Sequence, residues 1–134
     1  MMIREAALPE VWLLRQKVMY PSENLKSVQL DNDIDGIHLG VYKDSELLSV
    51  ISLFACDKEL QFRKFATSDA FQRQGVGTAL LQHVMKWAAT NDFEIVWCNA
   101  RLSASGFYKR FGMHAIGESW KKNNIEYIKM QKNL

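Results

Sequence analysis

A chain of 134 residues suits one domain spanning residues 1–134, and a domain of that size buries roughly 65–70% of its unfolded surface, so metal or disulfides are not needed for folding. Its 17 basic and 15 acidic residues are scattered without long runs, which excludes the basic stripe that nucleic-acid binding requires. Cys56 and Cys98 sit in apolar runs with no zinc-type Cys/His spacing, reading as two buried thiols, and "MMIREAALPEVWLLRQ" meets charge too early for a signal peptide or membrane span; the expected location is cytoplasmic.

In chain order, a short strand near residues 2–5 precedes a helix that Pro9 opens and Pro21 ends, with Val11, Leu14 and Val18 on one face at helical spacing. Residues 22–33 are polar, with room for a helical turn or two and a place at a substrate mouth. The run "GIHLGVYKDSELLSVISLFACDKELQFRKFAT" alternates β-rich stretches with turn signals at 43–45 and 57–58, which predicts an antiparallel meander of strands 36–43, 46–56 and 59–67. Helical periodicity then takes over at 73–91, and "FEIVWCNA" returns to a buried strand. A strand, helix and strand in series imply a right-handed crossover and a parallel pair. A short helix at 103–111 and strands near 113–119 and 125–131 complete the chain.

Two local features carry chemistry. In "LQFRKFAT" the large apolar residues Phe62 and Phe65 lie three apart, so keeping both on one face of a strand needs an extra residue, a β-bulge, at Arg63–Lys64; burial on both faces is the alternative. In "FQRQGVGTALLQHVMKWAA" Gly75 and Gly77 stand at the mouth of the long helix, where amides outside the hydrogen-bond ladder and the helix dipole favour an anion. The letters do not fit a Walker A loop, because Thr78-Ala79 follows Gly77, nor a dinucleotide fingerprint, because Leu80 stands where Gly or Ala is required.

The segment Gln72-Arg73-Gln74-Gly75-Val76-Gly77 resembles the Gln/Arg-x-x-Gly-x-Gly/Ala signature of the GNAT superfamily of N-acetyltransferases. The likeness extends through "RKFATSDAFQRQGVGTALL" and "NARLSASGFYKRFGM", covering about residues 60–113. It implies the α/β (α+β) acyl-CoA N-acyltransferase fold, a mixed central sheet splayed between strands 4 and 5 and flanked by helices. It also implies acetyl-CoA as cosubstrate, a primary amine as acceptor and, because relatives frequently dimerise, a homodimer. Carried over by position, Phe65, Ala66 and Thr67 offer main-chain groups to pantetheine. The loop of Gln72, Arg73, Gln74, Gly75, Val76, Gly77 and Thr78 wraps the pyrophosphate. Asn99 bonds the pantetheine arm, Ala104 is the small residue under the cofactor, and Tyr108 protonates the departing thiolate.

No single residue stands out as general base; Glu59, Glu118 and His38 are candidates, while His83 and His114 read as bystanders. Relatives with this variant often carry His three residues before the Met of the last strand, where this chain has Tyr127 before Met130. A non-catalytic acyl-CoA sensor or scaffold would keep the glycine turn without needing an acid, and Tyr108 favours the enzyme. Nothing identifies the amine.

Overall fold

The computed structural model describes all residues, 1–134. Seven strands form a mixed sheet in the order β1-β2-β3-β4-β5-β7-β6, made of β1 (Met2–Glu5), β2 (Ile37–Lys43), β3 (Glu46–Cys56), β4 (Glu59–Thr67), β5 (Ile95–Arg101), β6 (His114–Lys122) and β7 (Ile125–Asn133). Three helices accompany them: α1 (Leu8–Met19), α2 (Val76–Thr90) and α3 (Ser105–Lys109). The polar stretch after α1 forms two short 3-10 turns, Leu25–Val28 and Asp33–Asp35.

The chain divides into two compact units, with β4 and α2 each contributing a half to both. The first unit contains residues 1–54 and 63–84. Here β1 pairs antiparallel with β2, and β2 with β3. The first hairpin turns at Asp44, whose φ of 55° is the left-handed conformation that Asp tolerates better than most residues. Helix α1 begins with Pro in its first turn and ends at Met19, because Pro21 disfavours helical geometry in Tyr20, the residue before it. It buries Val11 and Leu14 in a cluster with Ala6, Tyr42, Val50 and Ala66.

The second unit contains residues 55–62 and 85–134. Its β4 segment pairs in parallel with β5 at Glu59–Gln61 against Ile95–Trp97, and the ladder ends there, well before β4 itself ends at Thr67. On its other side β5 pairs antiparallel with β7 along its whole length, and β7 with β6. Asn123 and Asn124, both at positive φ, make the tight turn of that last hairpin.

Most expected elements are present, and the differences have local causes. The long helix starts at Val76 rather than residue 73, because Arg73 (φ 63°) and Gly75 (φ 80°) lie in left-handed conformations that a right-handed helix cannot contain. In β4, Lys64 has a φ of 53°, a left-handed residue at the place where the Phe62–Phe65 spacing called for a bulge. The reading of two buried thiols is corrected: Cys98 is buried, but Cys56, the last residue of β3 beside the Asp57 turn, is exposed.

Candidate functional site

The turn before α2 is built in the first unit. A 3-10 turn at Asp69–Phe71 leads from β4, and the side chains of two of the predicted ligands fold back to brace it. Gln72 Nε2 donates to the Thr67 carbonyl at 3.0 Å and to Asp69 Oδ1 at 3.1 Å, and Gln74 Nε2 donates to the Ala70 carbonyl at 3.0 Å. Main chain, rather than glutamine amides, is therefore what this turn offers a ligand. The first bond of the α2 ladder runs from the Ala79 amide to the Gly75 carbonyl at 3.0 Å, which leaves the amides of Val76, Gly77 and Thr78 ahead of the ladder.

The two glycines serve different purposes. At Gly75 the backbone is left-handed and nothing lies within 4 Å of where a Cβ would stand, so the space beside it is open. At Gly77 a Cβ would meet Thr67 Oγ1 at 3.2 Å and the Phe65 ring at 3.3 Å, so this glycine lets the first turn of α2 lie close against β4. The turn is thus open at Gly75 and packed against β4 at Gly77.

Beside Gly77 lies a contact that pattern reading missed. Ser49, fully buried in β3, donates to the Ala66 carbonyl at 3.0 Å, and its Oγ lies 2.9 Å from Thr67 Oγ1. The threonine hydroxyl thus has a buried partner. The signal was present in the letters: "LLSVISLF" places two serines inside an apolar strand, and a buried hydroxyl needs a hydrogen-bonding partner.

The second serine belongs to a polar cluster in the same unit. Arg15 and Asp33, 0% and 2% exposed, form a two-pronged ion pair, Nη1 to Oδ2 at 2.7 Å and Nη2 to Oδ1 at 2.9 Å. Arg15 also donates to the Val28 carbonyl at 3.0 Å and to Ser52 Oγ at 2.8 Å, leaving only its Nε without a partner. Asp33 accepts further bonds from Trp12 Nε1 and the Leu30 amide. Burial alone would raise the Asp33 carboxyl, but the bonds from Arg15, Leu30 and Trp12 together with the Arg15 charge outweigh it and hold the pKa at about 2.

His38, a candidate base, closes this cluster, with Nε2 2.8 Å from the Asp33 carbonyl and Nδ1 2.7 Å from Ser52 Oγ. A carbonyl only accepts, so Nε2 carries the proton. Both ring nitrogens are engaged and the ring is buried, which leaves neither available to an acceptor amine. The network ties both 3-10 turns after α1 to α1, β2 and β3. Arg15 lies on the apolar face, four residues after Val11, where periodicity reads only hydrophobic residues.

In the second unit, Tyr108 lies on α3, its ring 5.7 Å from Phe62 and 5.2 Å from Phe107 between centroids. Its hydroxyl has no hydrogen-bond partner in the protein. Burial, with a smaller contribution from Cys98, pushes its pKa well above the ordinary phenol value, and burial pushes the Cys98 thiol up to about 12. Asn99 is exposed on β5, opposite Lys129 of β7, and Ala104 is half-buried at the residue capping α3. Glu59 and Glu118 are both exposed, on β4 and β6, and no group of three or more His, Cys, Asp or Glu could hold a metal ion.

The family model described as the acetyltransferase (GNAT) domain matches residues 15–134. Among curated proteins, the Bacillus subtilis N-acetyltransferase YitI, itself uncharacterized, is 26% identical over 98% of this chain and 95% of its own length. A Lactobacillus plantarum protein assigned as an N-acetyltransferase shares the fold with a TM-score of 0.89 at 21% identity, over 99% of this chain and 97% of that one. A GNAT family acetyltransferase from Elizabethkingia anophelis, solved with acetyl-CoA bound, gives a TM-score of 0.77 at 19% identity, over 99% and 97% of the two chains.

Proposed function

The chain belongs to the GNAT family of acetyltransferases, and from that premise we propose a residue-by-residue assignment of how it moves an acetyl group from acetyl-CoA to an amine. It is an acyltransferase with acetyl-CoA as cosubstrate. The loop from Gln72 to Thr78 takes the pyrophosphate through its main-chain amides, with the exposed Arg73 adding charge. Main-chain groups of Phe65, Ala66 and Thr67, with Asn99 and Ala104, receive the pantetheine arm. The observation that carries this reading is the open, left-handed Gly75 beside amides that precede the α2 ladder, a donor set suited to phosphate oxygens.

Tyr108 is the acid in this assignment. As the free-base amine displaces the thiolate from the acetyl carbon, the phenol donates its proton to sulfur, and such help is typically worth ~10²–10⁴-fold. The partnerless hydroxyl supports that role. Tyr108→Phe keeps the ring contacts with Phe62 and Phe107 and removes only the proton donor. Its kcat should fall ~10²-fold while acetyl-CoA affinity measured by calorimetry is retained. An unchanged kcat, with chemistry shown to limit the rate, rejects the assignment.

We further assign residues 1–134 to one catalytic domain acting in the cytoplasm as a homodimer. No helix is long and apolar enough to cross a membrane. Light scattering of the purified chain decides the assembly.

A further inference from the structure

We infer that Lys64 selects the acceptor: the amine taken by this enzyme carries a carboxylate, as an amino acid does, and Lys64 receives that carboxylate. The inference rests on the acetyl-transfer assignment above and gives it a substrate class. Three features of Lys64 carry it. First, it adopts a left-handed backbone (φ 53°) inside a strand, a conformation that lysine enters at a cost and that glycine would adopt freely. Secondly, its half-buried ammonium is held by a neutral group: Nζ donates to Tyr20 Oη at 2.6 Å and lies 4.8 Å from the centre of that ring. It takes part in no ion pair, the one in this protein joining Arg15 to Asp33. Thirdly, it directly precedes Phe65, the first residue assigned to the pantetheine arm, and its partner Tyr20 caps α1, where the segment held by the Arg15–Asp33 network begins.

A lysine fixed by a phenol keeps its charge and two of its three N–H bonds for another partner. A simple cationic amine would meet repulsion there. An amine with a nearby carboxylate instead gains a charge-assisted hydrogen bond to Nζ. The same positive charge disfavours the protonated form of the acceptor amine and so raises the share of nucleophilic free base. Polyamines offer no anion to this lysine and are disfavoured.

The test compares kcat/KM for a panel of amino acids with that for the corresponding amino acid amides, following release of free CoA thiol. Comparing the carboxylate-to-amide ratio of each variant with that of the wild type cancels the different intrinsic reactivities of the amines. Lys64→Gln should lower the ratio at least ~10-fold, chiefly through KM for the amino acid, as loss of a charge-assisted bond requires. Lys64→Arg should retain most of it, and Tyr20→Phe, which frees the ammonium without removing it, should lower it by less; this variant serves if Lys64→Gln does not fold. A ratio unchanged in Lys64→Gln or Tyr20→Phe overturns the inference, as does a wild type that acetylates amides or polyamines but no carboxylate-bearing amine, and in those cases thiol release still upholds the acetyltransferase assignment. Absence of acetyl-CoA binding in calorimetry, with no thiol released by any amine, overturns both.

Discussion

Replacing Asp33 by Asn tests whether the Arg15 network holds the segment after α1. The two side chains have nearly the same shape, but Asn leaves a fully buried guanidinium without its counter-charge, a change that typically costs ~3–5 kcal/mol. The wild-type pair also has a pH signature. Asp33 titrates near the ordinary 3.8 in the unfolded chain and at about 2 in the folded protein. Stability from this group is therefore complete above the unfolded value and is lost as pH falls through the folded one. The gap corresponds to roughly 2 kcal/mol at neutral pH, of which about 1 kcal/mol is gone by pH 3. Urea unfolding of wild type and Asp33→Asn from pH 7 to pH 3 should show the variant destabilised throughout and the difference narrowing by about that amount. A difference that stays constant with pH, or a loss below ~1 kcal/mol at neutral pH, refutes the argument that the pair is buried, ionised and anchoring.

The two glycines should respond differently to alanine. Gly75→Ala meets open space and a positive φ, so it should cost about 1–2 kcal/mol in thermal unfolding and weaken CoA binding in calorimetry; Gly77→Ala presses on Thr67 and Phe65, and should destabilise by ~1–3 kcal/mol less up to ~1 kcal/mol of helix propensity. The thiols should separate as sharply: a chromogenic disulfide reagent at pH 8 should label exposed Cys56 in the native protein and Cys98 only on unfolding.

What the letters disclosed was local. Asp44 and Asp57 mark turns because short polar side chains tolerate left-handed backbone, and a three-residue spacing of aromatics marked Lys64 because a strand alternates with period two. The features that escaped depend on partners distant in sequence. Arg15 is buried because Asp33, Ser52 and the Val28 carbonyl surround it, and nothing within the turns of α1 indicates that. His38 had the chemistry of a base until both ring nitrogens were seen to be engaged. Nor did the letters show that the atoms nearest the missing Cβ of Gly77 belong to β4.

Burial alters the acid role proposed for Tyr108 without removing it. A phenol and a thiol of similar ordinary pKa are well matched for proton transfer in water, and the structure pushes this phenol far above its ordinary value. The cause is desolvation, which penalises any anion formed in the same surroundings, and the neighbouring Cys98 thiol is pushed up to about 12 by the same effect. A thiolate leaving beside Tyr108 would be destabilised likewise, so the difference between donor and acceptor, which governs the transfer, changes less than either value alone. The proton also stays on Tyr108 throughout the working pH range. Any rise of rate with pH must then come from deprotonation of the acceptor amine or of a group that receives its proton, and no alkaline fall through loss of the Tyr108 proton should appear below about pH 10.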